Sequence, residues 1–303
     1  MTRRQLQFHA EAWIARAALW LLSRLGPVNA SNFGGWLART IGPLLPVTRV
    51  ADENLRRALP NIDAAARRAI IVKVWDNLGR TAAELPHVAS LVQTTEGPGW
   101  EAIGEPTMRQ LASSPGPVIL FSAHIGNWEM LPVMAAHYGI RLSSFYRAAT
   151  NPIVDTIITN LRARAVGQGV PNFPKGSAGA RAALAHLSKG GFLGMLVDQK
   201  MNDGIPAPFF GQTAMTAPAA AAFALRYQAP LVPAHIERLG PARFRVVIEQ
   251  PLPLPNTGDR QTDIATLTTT MNATLETWIK ARPGEWLWLH RRWPKAAKTS
   301  ASF

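Results

Sequence analysis

From Pro115 onward the sequence falls into short apolar runs, each followed by polar residues and then by a stretch of helical texture. That alternation confines the chain to a sheet with helices packed on it, an α/β architecture. Val118-Ile119-Leu120-Phe121 reads as a buried strand, as do Phe192 to Val197 and Leu231 to Ile236. Arg243 to Glu249 adds a strand able to pair with its predecessor across a turn at Gly240-Pro241, and Thr262 to Ala281 reads as a late helix. At 303 residues the chain can bury a full core as one large domain or two small ones.

The first 50 residues differ in texture. Phe8 to Leu25 is largely apolar, with Trp13, Ile14, Leu19, Trp20, Leu21 and Leu22, but Glu11, Arg16 and Arg24 interrupt it. A spanning helix wants roughly 20 mainly apolar residues with no charge near the middle. An interfacial helix, with Arg heads reaching water and Trp at headgroup level, fits better; an ordinary amphipathic core helix is the plainer alternative. No small-residue cleavage site follows a continuous apolar core, which argues against a cleaved signal peptide. Phe33 to Val47 is broken by Gly34, Gly35, Gly42, Pro43 and Pro46, so one regular helix is not expected there, but a re-entrant or surface-lying piece. From Asp52 to Val92 the spacing of Leu55, Leu59, Ile70, Val74, Leu78 and Leu85 is helical, punctuated by Pro60 and Pro86. The division that results is a membrane-associated segment over 1–50 and a main domain over 51–303. Arg24, Arg39, Arg49, Arg56 and Arg57, following the apolar start, place that domain on the cytoplasmic side.

Composition supports a protein that lies on a membrane. Hydrophobic residues make up 47% and charged residues 17%, apolar for a soluble enzyme yet without the repeated long runs of a polytopic membrane protein. The 32 Lys and Arg against 19 Asp and Glu give a formal charge of +13, which attracts anionic lipid, an acidic protein or nucleic acid. Nucleic acid ranks last, because the basic residues are scattered, with no zinc-finger spacing, RNP-like motif or long basic run. The absence of cysteine excludes disulfides, thiolate nucleophiles and Cys-based metal sites.

Chemistry concentrates where the first strand ends. After Phe121 come the small residues Ser122-Ala123 and then His124-Ile125-Gly126-Asn127-Trp128-Glu129. Open α/β sheets place ligand sites at such strand ends. Five residues apart on one helix, His124 and Glu129 would sit about 140° apart. They meet more easily if His124 lies in the turn, with Gly126 allowing an unusual backbone, Asn127 capping the helix and Glu129 at its positive end. Glu129 would then hold one imidazole nitrogen and leave the other as a general base. From spacing alone, a hydrogen-bonded, partly buried histidine and a solvated first-turn acid account for the same residues. A metal site using Asp198 lacks a second histidine at helical spacing. Ser122 as nucleophile lacks a Gly-x-Ser-x-Gly elbow.

The strand followed by His, four residues and an acid resembles the motif of glycerolipid acyltransferases. In its Asn-Trp-Glu form it is similar to the late acyltransferases of lipid A biosynthesis. Further matches follow in order: Tyr146-Arg147 with Asn151-Pro152, the basic pair Arg162 and Arg164, Asp198-Gln199, Phe209-Phe210-Gly211 with Thr216-Ala217-Pro218, and the closing run Glu285 to Trp293. The resemblance covers nearly the whole chain. It implies a mixed sheet of glycerolipid acyltransferase type flanked by helices, with a helical, membrane-contacting N-terminal part at the cytoplasmic face of a bacterial inner membrane. The implied reaction is O-acyl transfer from acyl carrier protein to a hydroxyl of a lipid A precursor. His124 and Glu129 would be catalytic, and Asn127, Arg147, Arg164 and Asp198 would bind substrate, with neither metal nor organic cofactor. Acylation of another glycolipid or a lysophospholipid, with coenzyme A as carrier, and a silent lipid-binding protein of the same fold are the alternatives. Trp286, Trp288 and Trp293 beside His290, Arg291 and Arg292 mix aromatics with cations as a membrane interface does; an aromatic core cluster with exposed arginines is the other reading.

Overall fold

The computed structural model describes residues 2–167 and 169–294. Four helices come first: α1 (Arg3–Arg24), α2 (Gly26–Ile41), α3 (Thr48–Ala58) and α4 (Ala64–Glu84). Thr2 and Gln5 close a capping box on α1, and Asp63 caps α4 by accepting from the Ala66 N–H. Beyond them the elements alternate: β1 (Gly99–Ile103), α5 (Glu105–Ala112), β2 (Val118–Ser122), α6 (Met130–His137), β3 (Leu142–Tyr146), α7 (Pro152–Val166), β4 (Asn172–Pro174), α8 (Ser177–Leu187) and β5 (Phe192–Leu196). The hairpin of β6 (Lys200–Phe209) and β7 (Gln212–Thr216) follows, then α9 (Ala219–Tyr227), β8 (Leu231–Gly240), β9 (Arg243–Ile248) and α10 (Arg260–Ala281).

Seven strands form one sheet in the order β1-β9-β8-β2-β5-β3-β4. Every pairing in it is parallel except β8 with β9, the hairpin expected across Gly240-Pro241. A parallel interior needs cover on both faces, and β2 shows both. Its Ile119 and Phe121 enter an apolar cluster with residues of α3, α4, α8, α9 and α10, while Val118 and Leu120 enter a second with residues of α5 and α6.

The second apolar stretch breaks at Gly42-Pro43, as expected, but not at Gly34 and Gly35. Helix α2 runs unbroken through Gly34 and Gly35 and ends only at Ile41, before a 3-10 turn over Gly42–Leu44. The two glycines serve packing here. A Cβ on Gly34 would lie 2.4 Å from the Gly79 carbonyl oxygen, and one on Gly79 would lie 2.2 Å from that of Gly34, so α2 and α4 cross backbone to backbone. Among the described residues no helix is long and apolar enough to cross a membrane.

Candidate active site

Strands β2 and β5 lie side by side and parallel, with Ser122 opposite Leu196. Counting two residues beyond each brings His124 and Asp198 to the same level at the carboxyl edge of the sheet, where open α/β folds carry ligands. There His124 Nδ1 lies 2.8 Å from Asp198 Oδ1. The other carboxylate oxygen accepts from the His124 backbone N–H at 2.9 Å and from the Trp286 indole N–H at 2.8 Å. Asp198 is completely buried. Burial by itself would raise its pKa, but the charge and hydrogen bond of His124, with His290 beside them, hold the carboxyl far below the usual range. A carboxylate that can only accept fixes the Nδ1–H tautomer of His124 and leaves the lone pair on Nε2. Nε2 has no hydrogen-bond partner among the described residues.

The expected direct pairing of Glu129 with His124 is therefore replaced by Asp198. Glu129 sits one residue before α6, and both its oxygens accept from Arg162 of α7, at 2.8 and 2.6 Å. Asp198 reaches the imidazole because parallel strands bring their ends to one level, a relation that spacing along the chain does not carry.

The turn between them is held from below by α4. Gly126 has φ +59°, and a Cβ there would lie 2.2 Å from the Ile236 carbonyl oxygen, so only glycine fits. Its own carbonyl accepts from Asn77 Nδ2 at 2.9 Å and Thr81 Oγ1 at 3.2 Å. From above, Leu287 N–H donates to the His124 carbonyl at 2.9 Å and Gly126 N–H to that of Glu285 at 3.2 Å. One helical turn beyond Thr81, the buried Glu84 accepts from Asn127 Nδ2 at 2.8 Å and Ser31 Oγ at 2.6 Å and pairs with Arg238. Asn127 is likewise completely buried, and its Oδ1 accepts from the Glu129 N–H at 3.2 Å. The helix it was expected to cap starts later, at Met130.

The tryptophans of the closing run Glu285 to Trp293 lie in the interior, which favours the core cluster over the interface, and of its two arginines Arg291 is exposed and Arg292 is not. Trp286, Trp288 and Trp293 are buried, and Arg292 is completely so, lying 4.7 Å over the Phe209 ring and donating to Thr216 Oγ1 at 2.7 Å. Burial pulls the Arg292 pKa down to about 10, with Asp198 resisting. Arg147 and Arg164 are both exposed, and among the described residues neither is hydrogen-bonded to His124.

A family model described as bacterial lipid A biosynthesis acyltransferase matches residues 2–295. The chain belongs to this family. Among solved structures, the 1-acyl-sn-glycerophosphate (LPA) acyltransferase PlsC of Thermotoga maritima is similar at 12% identity, over 80% of this chain and 98% of that one, with a TM-score of 0.36. Comparison with curated proteins gave no match. Sequence reasoning about this acyltransferase passed over Asn77, Thr81 and Glu84. Their signal was present: three polar residues at helical spacing on the otherwise apolar face of α4 that carries Val74 and Trp75.

Proposed function

We propose that this acyltransferase moves a fatty acyl chain from acyl carrier protein to a hydroxyl of a lipid A precursor, with His124 as general base. The observation that carries this reading is the buried Asp198 carboxylate on His124 Nδ1, which leaves Nε2 open. Nε2 takes the proton of the acceptor hydroxyl as that oxygen attacks the thioester carbonyl, and Asp198 stabilises the imidazolium. The tetrahedral intermediate collapses by breaking the carbon–sulfur bond, and the imidazolium returns the proton to the departing thiolate, so no acyl-enzyme forms. The backbone N–H groups of Asn127 and Trp128 have no hydrogen-bond partner among the described residues and are the donors nearest in sequence to receive the oxyanion. Glu129 acts through Arg162, fixing α7 against the turn. Arg147 binds an anionic group of the substrate, since the guanidinium fork matches phosphate and carboxylate.

Residues 1–50 are the membrane-associating part and 51–303 the catalytic part, held at the cytoplasmic face of a bacterial inner membrane. Large apolar side chains exposed over the first 50 residues support that placement, among them Trp13 at 70%, Trp20 at 60% and Leu44 at 83%. The direct test is acyl transfer by purified His124→Ala and Asp198→Asn with an acyl carrier protein donor and a lipid A precursor. Turnover should fall by about 10²–10⁴ in each. Wild-type turnover in His124→Ala would remove the general base. Transfer only from acyl coenzyme A to a lysophospholipid in parallel assays would change donor and acceptor and keep the site.

A further inference from the structure

Helix α7 has no buried residue, although Ile153, Ile157 and Leu161 form an apolar stripe along it. With Asn160 and Arg164 that stripe forms one wall of a groove of about 540 Å³, and Arg16 of α1 lies on the other side. The groove is held open at one end: Asn151 Nδ2, at the start of α7, donates to the Phe8 carbonyl at 2.8 Å and to Glu11 Oε2 at 2.9 Å. Neither Arg16 nor Arg164 has an ion pair or hydrogen bond among the described residues. Two uncompensated cations beside a hydrocarbon stripe call for a ligand with an anionic head and an apolar tail. Arg162, which grips Glu129, is two residues from both Asn160 and Arg164 and so points from another face of the helix. The groove is thus distinct from the His124 site. It borders the same helix whose Trp13, Ile14 and Trp20 are exposed.

We propose that the α1–α7 groove is a second lipid site, holding an amphiphile with a phosphate head on Arg16 and Arg164 and its chain along Ile153, Ile157 and Leu161. Occupancy involves no acyl transfer, so failure of the catalytic reading leaves it standing.

The test is isothermal titration of the full chain in neutral detergent with dodecyl phosphate, with dodecyl maltoside as the uncharged tail and glycerol phosphate as the tailless head. Dodecyl phosphate should bind saturably, and each partial ligand at least about tenfold more weakly. Arg16→Gln with Arg164→Gln should weaken dodecyl phosphate about tenfold or more, while the two Lys replacements restore only part of the affinity. Arg68→Gln with Arg181→Gln removes the same charge from exposed sites elsewhere and should change affinity less than about twofold. Equal weakening by this control pair would reduce the effect to diffuse charge and overturn the site, as would unchanged binding in the groove variants. Competition for bound dodecyl phosphate by phosphatidylglycerol identifies a membrane phospholipid as occupant, and competition by a lipid A precursor identifies the acceptor. Competition by neither would overturn the proposal.

Discussion

Trp286 is 88 residues from Asp198 in sequence, yet its indole N–H and the His124 backbone N–H together occupy one oxygen of that carboxylate and leave the other to the imidazole. On the proposed mechanism the indole N–H positions the pair, a role separable from the bulk that packs on Phe209 and Trp288. Substituting Trp286 with its sulfur isostere, the benzothiophene amino acid, removes the N–H and keeps the shape. Turnover should drop by about ten- to a hundredfold, the usual worth of a hydrogen bond to a charged group, with KM unchanged. A rise in KM alone would mean that the indole does not orient the catalytic pair. A second pairing at this scale is Glu129 with Arg162. Glu129→Gln and Arg162→Gln should each depress turnover, and the double variant should fall little below either single one, because the two act as a unit. Additive losses in that cycle would show independent roles. His124 and Glu129 stood out in the sequence because they share a short segment, whereas their actual partners come from α7 and from just beyond β5. Short spacing reports local geometry and is silent about which distant strand arrives beside it.

Individual elements differ in how plainly the sequence announces them. Strands β2, β5, β8 and β9 form where the apolar runs fall, and β2 and β9 are also dense in β-branched and aromatic residues. β3 carries two serines, Ser143 and Ser144, and β4 is three residues long and ends in Pro174, so neither has a run to find. Within β8 a buried histidine makes the element sensitive to acid. His235 stacks on Trp278 at 4.5 Å, with Glu237, Glu249 and Arg282 as its charged neighbours. Burial pushes its imidazole down to about 4, Glu237 pulling upward and Arg282 downward. Between the ordinary value of about 6.5 and that lower one the unfolded chain binds a proton that the folded one does not. Stability contributed by neutral His235 is therefore present above about pH 6.5 and is lost on acidification through this window, at up to about 1.4 kcal/mol per pH unit. Denaturant unfolding at pH 7 and pH 5 should show His235→Leu losing less stability between the two conditions than the wild type. Equal losses would place the acid sensitivity elsewhere.

At the scale of the whole molecule, the α/β class followed directly from the alternation beyond Pro115, while the strand order that makes a site did not. Nothing in the runs themselves puts β5 between β2 and β3. The helical start carries its own expectation. Deleting residues 2–25 removes Trp13, Ile14, Trp20 and Leu21 from the surface, and much of the protein should then leave the membrane fraction in sedimentation at high salt. Complete retention would assign the anchor to α2 and the turn after it, where Trp36, Ile41 and Leu44 are also exposed. The far end of the chain has a different consequence. Glu285 and Leu287 bracket the turn at Gly126, and Trp286 closes the Asp198 hydrogen bonds. Each of these contacts joins residues far apart in the chain, 88 positions apart for Trp286 and Asp198. Pairing β2 with β5 is therefore not enough to order the His124–Asp198 pair, which needs the clamp from Glu285 to Leu287 as well.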